Sequence, residues 1–171
     1  QQLIPISTSD LLNTPVKDIE WVVDRLIQDQ GITIISARPG QGKTWIAMAI
    51  AKTVALGEKL FNHFNVKKTT VLFIDEENPL NSVITRIKML GMTHETPVIW
   101  LIGKGIKVTS DAHMEAVVKI CEDNGVGLVI FDSLIRIHNS DENDSRSMAR
   151  VFEQIRKLTK KNIHAKARFV T

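Results

Sequence analysis

A chain of 171 residues with 43% hydrophobic and 24% charged side chains is long enough to bury one core, which excludes both a disordered chain and one that depends on disulfide or metal staples. A net charge of +3 permits contact with nucleic acid without demanding it. No apolar run nears the roughly 20 residues of a membrane helix, and no charged-then-apolar leader opens the chain, so a soluble, cytoplasmic protein without a membrane partner is expected. The single cysteine, Cys121, closes the apolar run 116–121, as a buried structural thiol would. The chain starts at Gln1 and ends inside the apolar run 167–171, as an excerpt of a longer protein would.

Residues 1–30 read as a lead-in that packs on the core, with a capped turn from Ser7 to Leu12 and an edge strand from Ile19 to Val23. From residue 31 onward, short β-branched runs alternate with helix-periodic stretches, the pattern of βαβ units. The first strand runs from Gly31 to Ala37 and is followed by the Pro39-Gly40 pair. Behind that turn, Thr44 to Leu56 repeats apolar residues at Ile46, Ala49, Ile50 and Val54, and Gly57 stands where a helix ends. A second strand spans Thr70 to Glu76. Asn78 then reads as a helix cap with Pro79 as the first helical residue, and Gly91 closes that helix.

The third strand, Pro97 to Ile102, precedes a helix that Ser110 or Asp111 caps and that runs to Asn124. The fourth strand is Gly127 to Asp132. A polar loop from Asn139 to Asp144, an amphipathic helix from Ser145 to Lys161 and a short strand over 167–171 complete the series. Strands that are almost continuously apolar are expected where helices cover both faces of a parallel sheet. The expected fold is therefore α/β: a three-layer α/β/α sandwich on a mostly parallel sheet, with the core at 31–171 incomplete at its C-terminal end.

Residues 37–44 read Ala-Arg-Pro-Gly-Gln-Gly-Lys-Thr. Binding a nucleoside triphosphate needs a backbone that folds closely around oxygen anions, a cation that reaches the outer phosphates and a hydroxyl for magnesium. Gly40 and Gly42 leave room for backbone N–H groups, Lys43 supplies the charge and Thr44 the hydroxyl. Arg38, Pro39, Gln41 and Trp45 complete the expected nucleotide contacts, although Trp45 fits packing into the sheet better than a place under the phosphates. Ala37 stands where the motif begins with glycine, which implies an ordinary negative φ at that position. A strand directly before the loop and a helix directly after it are the context that such a loop requires.

A phosphate loop needs an acid near the magnesium at the end of a neighbouring strand, and Asp132 fits. Hydrolysis also needs a carboxylate that orients or deprotonates water, for which Asp75, Glu76 and Glu77 are all candidates by position. The order of the phosphate loop, Phe73-Ile-Asp-Glu-Glu77, Arg86 with Leu90-Gly91, and Ile130-Phe-Asp-Ser-Leu134 resembles RecA-like P-loop ATPases. The stretch Asp132-Ser-Leu-Ile-Arg-Ile-His138, with Asp141-Glu-Asn143 and Met148, is similar to plasmid-type replication protein A helicases and related phage or mobile-element proteins.

The resemblance implies Glu77 as the residue that activates water, Lys43 as a phosphate contact that serves catalysis, and Thr44 with Asp132 as Mg²⁺ ligands. It also implies ATP as substrate, a homo-oligomeric ring of six subunits and movement along single-stranded DNA. The family's phosphate sensor and arginine finger fall beyond Thr171, so feeble hydrolysis is expected of these 171 residues alone.

Single-strand binding combines basic side chains with stacking aromatic rings. Arg136 and His138 are the candidate DNA contacts, but no aromatic residue lies between Ser133 and Met148. A regulatory nucleotide switch without translocation and a P-loop phosphotransferase remain as alternative readings.

Overall fold

The computed structural model describes residues 4–16, 18–38, 40–137, 145–160 and 167–170. In chain order its elements are α1 (Thr8–Asn13), β1 (Trp21–Val23), β2 (Ile27–Gln28), β3 (Ile32–Ile35), α2 (Lys43–Leu56), β4 (Thr70–Asp75), α3 (Leu80–Met89), β5 (Val98–Ile102), α4 (Asp111–Asn124), β6 (Val126–Asp132), the short 3-10 helix η1 (Leu134–Ile137), α5 (Ser145–Lys160) and β7 (Ala167–Val170). Five strands form one sheet in the order β3-β7-β6-β4-β5, and every pairing in it is parallel. The core strands and helices thus stand within one or two residues of the positions expected from sequence. The expected polar loop 139–144 lies outside the described residues.

Both faces of the central strands β4 and β6 are buried. On one side Val71, Phe73, Leu128 and Ile130 pack with α2 and with Val83 of α3. On the other, Leu72, Ile74, Val129 and Phe131 pack with Val117 and Cys121 of α4 and with Ile155 of α5. Alternate residues therefore serve opposite layers, which is why β6 carries no polar side chain before Asp132. Phe73 and Phe131 are fully buried, and each contributes roughly 1.5–3 kcal/mol by leaving water. Cys121 is buried among these residues, and burial, with Glu122 adding a smaller effect, pushes its thiol up to about 12, which leaves it unreactive.

Helix α2 buries Ala47, Ala51 and Ala55 one turn apart, together with Met48, Ile50 and Val54. The small alanines let this helix lie close to the sheet. Ile46, expected in the core, is instead exposed, because the buried arc is centred on the alanine stripe. Gly57 ends the helix in a left-handed conformation with its N–H on the Thr53 carbonyl, as the C-terminal signal implied.

The lead-in departs from expectation. Residues 21–23 do not form an edge strand of the main sheet; β1 pairs antiparallel with β2 in a separate hairpin. A partner three residues away closes at less entropic cost than one across the fold. The hairpin is held on the segment after α2 by the Lys67 N–H on the Val22 carbonyl and the Asp24 N–H on the Asn65 carbonyl. Lys67 Nζ also reaches Glu20 at 2.8 Å and Asp29 at 3.1 Å. Val22, Val23 and Ile27 join the core on the α2 side. Before the hairpin, Ser7 and Asp10 form a reciprocal cap on α1, which buries no residue. Among the described residues no helix is long and apolar enough to cross a membrane.

Candidate functional site

Strands β4 and β6 pair with Asp75 opposite Asp132, so both acids stand at the carboxyl edge of the sheet, where α/β proteins open their ligand crevice. The loop that leaves β3 reaches the same edge on its way to α2. A cleft of about 440 Å³ lies there, and Lys43, Thr44, Glu77, Asp132 and Arg136 all line it. These residues come from three separate segments of the chain.

Gly40 and Gly42 have φ of 80° and 78°, a left-handed backbone that glycine adopts without cost. A Cβ at either would meet nothing within 4 Å, so the backbone turn and not crowding within the protein demands glycine. Ala37 keeps a negative φ, as expected. Gly42 caps α2, which aims the positive end of the helix dipole into the cleft. Lys43 Nζ folds back on the carbonyls of Ala37 and Arg38, at 2.7 and 3.3 Å. The Arg38 N–H donates to Gln41 Oε1 at 3.2 Å. Arg38 and Gln41 thus close the loop on itself and do not line the cleft, whereas Gly40, Gly42 and Trp45 do. Pro39 and His138 lie outside the described residues.

The three acids after β4 have different surroundings. Asp75 is fully buried, and its Oδ1 accepts the N–H groups of Glu77 at 3.0 Å and Asn78 at 2.8 Å. That is a side-chain-stabilised turn. Burial pushes the Asp75 carboxyl up, against the hydrogen bonds from Asn78 and Glu77 and the charge of Arg86. Glu76 turns away from the cleft and accepts the N–H groups of Lys104, Gly105 and Ile106. The Glu77 side chain is exposed in the cleft and, among the described residues, accepts no hydrogen bond.

Asn78 corrects a second expectation: the residue before α3 is Pro79, which offers no side-chain cap. The Asn78 amide instead donates to both oxygens of Asp75, at 3.2 and 3.1 Å, and accepts from Arg86 Nη1 at 2.7 Å. The spacing Asp75-x-x-Asn78 was a usable signal, since an aspartate commonly accepts main-chain N–H groups two and three residues on. Arg86 lies with its guanidinium 5.8 Å from the Trp45 ring centre and also lines the cleft. Trp45 is half-buried between the cleft and an adjoining groove over α3, formed with Thr85, Arg86 and Met89. It does not pack into the sheet, because the alanine stripe of α2 already occupies that face.

Asp132 is 1% exposed. The Thr44 hydroxyl sits beside its carboxylate and draws its pKa down, while among the described residues Oδ2 is buried without a hydrogen-bond partner. A hydroxyl beside a carboxylate with an orphaned oxygen is a donor set that fits a hard divalent cation. Among the described residues no three His, Cys, Asp or Glu converge on one point, so magnesium held here would share its shell with phosphate oxygens, as is usual for that ion. Arg136 reaches the cleft from η1, which follows a cis Asp132–Ser133 peptide.

Burial, with Asp75 and Glu77 adding to it and Thr44 and Arg86 opposing, pushes the Asp132 carboxyl up to about 6. A carboxyl raised in the folded state favours folding while protonated, so in the metal-free protein it costs stability as pH rises from about 4 to about 6. Asp132→Asn is therefore expected to stabilise the metal-free protein by about 3 kcal/mol at pH 8 and by little at pH 4. Urea unfolding of both proteins at the two pH values measures this; equal differences at both would refute the burial argument.

The fold and cleft define a phosphate-loop ATPase domain. The AAA domain family model matches residues 2–166, nearly the whole chain, and the chain belongs to that family. No curated protein matches it.

Proposed function

We propose that the chain is the ATP-hydrolysing core of a RecA-like, DNA-dependent ATPase that works as a helicase in replication or on a mobile element. The observation that supports the hydrolytic part is the meeting of Lys43, Thr44, Glu77 and Asp132 around one cleft. Lys43 exchanges the Ala37 and Arg38 carbonyls for the outer phosphates of ATP, and the N–H groups around Gly40 and Gly42 wrap the inner ones. Thr44 and Asp132 would hold Mg²⁺, which would supply positive charge against the phosphates. Glu77 orients a water molecule and takes its proton. Asp75 has its oxygens committed to the Glu77 and Asn78 N–H groups and the Asn78 side-chain amide, and Glu76 to three main-chain N–H groups, which leaves Glu77 as the acid available to water.

The DNA-dependent part rests on the resemblance over 132–148 and on Arg136, exposed at the cleft edge a few residues after Asp132. A ring of identical subunits would cover apolar side chains that the chain by itself leaves in water, among them Ile4, Ile6, Leu12 and Val16 at between 64% and 91% exposed. Such a protein would act in the cytoplasm, where its substrates are.

The test is steady-state ATP turnover by the full-length protein with and without single-stranded DNA. Turnover is expected to rise severalfold with DNA, and the rise to shrink as salt competes for the phosphates. Turnover that ignores DNA at every salt concentration would reduce the reading to an ATPase without a DNA partner.

A further inference from the structure

Glu77 owes its position to its neighbours, since its own side chain makes no hydrogen bond among the described residues. On one side Asp75 fixes the turn. On the other, Glu76 is pinned unusually well. Its Oε1 accepts the Lys104 and Ile106 N–H groups at 3.1 and 3.0 Å, and its Oε2 accepts Gly105 N–H at 2.9 Å. Three successive N–H groups converging on one carboxylate form a concave anion seat, and such charge-assisted bonds are stronger than neutral ones. The Glu76 N–H donates to the Asp132 carbonyl at 2.8 Å, and the Gly103 N–H to the Asp75 carbonyl at 2.9 Å.

The segment that seats Glu76 has a second attachment. Lys107 Nζ donates to the Arg136 carbonyl at 2.5 Å, and the Val108 N–H donates to the Ile137 carbonyl at 2.8 Å. The Lys107 N–H is held on His113 Nδ1 at 3.0 Å, which anchors the segment on α4. Residues 103–108 thus hold the neighbour of Glu77 at one end and η1, with Arg136, at the other.

We propose that Glu76 is a positioning residue that sets Glu77 against the bound nucleotide and links it to η1 through residues 103–108. This rests on the reading of Glu77 as the acid that activates water. A displacement of η1 moves the 103–108 segment, and with it the backbone that carries Glu77.

The experiment is steady-state ATP turnover and thermal unfolding of the full-length protein for Glu76→Gln, Lys107→Met, the double variant and Glu77→Gln. Glu76→Gln is expected to lower kcat about 10- to 100-fold, the range for residues that orient a reacting group, with KM for ATP changed less than about twofold. Lys107→Met is expected to lower kcat in the same direction, and the double variant to fall no further than Glu76→Gln alone. A native kcat for Glu76→Gln overturns the proposal, as does a loss of kcat that comes with a matching rise in KM and a lower unfolding temperature. Fully additive losses in the double variant also overturn it. Should Glu76→Gln not fold, Lys107→Met decides: a lowered kcat at unchanged KM supports the link and a native kcat overturns it. Native turnover in Glu77→Gln removes the underlying reading; loss there with native turnover in Glu76→Gln removes only this inference.

Discussion

Glu77→Gln is expected to lower the turnover number of the full-length protein by about 100- to 10,000-fold, the range set by loss of a general base, while ATP still binds. The two side chains have the same size, and the turn beneath residue 77 is held by the Asp75 carboxylate on main-chain N–H groups, so the substitution leaves the backbone alone. What disappears is the only unengaged acid of the 75–77 run. Rapid-quench turnover beside equilibrium ATP binding separates the two effects. Native turnover would mean that no acid of this run activates water, since Asp75 and Glu76 are already committed. Loss of binding and turnover together would mean that Glu77 helps to hold the nucleotide.

Lys43→Ala is expected to weaken ATP binding by about 2–4 kcal/mol, which is roughly 30- to 1,000-fold in the dissociation constant. In the free loop the Lys43 ammonium already sits on two carbonyls, at 2.7 and 3.3 Å, so the cation is held over the loop before the ligand arrives. Truncation removes that charge from the cleft. Isothermal titration with a non-hydrolysable ATP analogue measures the loss; unchanged affinity would show that the backbone and helix dipole suffice. Lys43→Ala and Glu77→Gln thus act on different quantities, affinity in one case and turnover in the other.

Much of this could be read from sequence, for definable reasons. Strands β4 and β6 stood out because residues buried on both faces are almost all apolar, and the polar residue that ends each then marks the edge of the sheet. Some local backbone chemistry was legible as well: Ser110 caps α4 through the His113 N–H, whereas Gly40 and Gly42, expected for the room they leave, are required by their left-handed φ. Interactions between segments distant in sequence were not. Choosing among Asp75, Glu76 and Glu77 on the residues alone required knowing that the 103–108 segment comes back to seat Glu76. Asn78 was misread as a cap because a cap and a turn-binding amide look alike before their partners are known. Ile46 was misplaced because the helical repeat fits two arcs, and only the approach of the sheet to the alanines selects one. The Trp21–Val23 strand was recognised, but its partner was not.

The order of strands in the sheet bears on how the protein is made. Ile32 pairs with Ala167, so within the sheet, among the described residues, β3 is joined to the other strands only through β7. A growing chain on the ribosome therefore exposes β3 early, yet among the described residues β3 has no strand of the main sheet to pair with until β7 emerges, whereas α2 packs on β4 and β6 once these have formed. Closing so long a span is slow. The wall of the cleft that leads from β3 into the phosphate loop is thus expected to gain its strand pairing after the wall carried by β6 is in place. Once formed, the site gains from its ligand, because ATP that binds only the finished sheet shifts the equilibrium toward it.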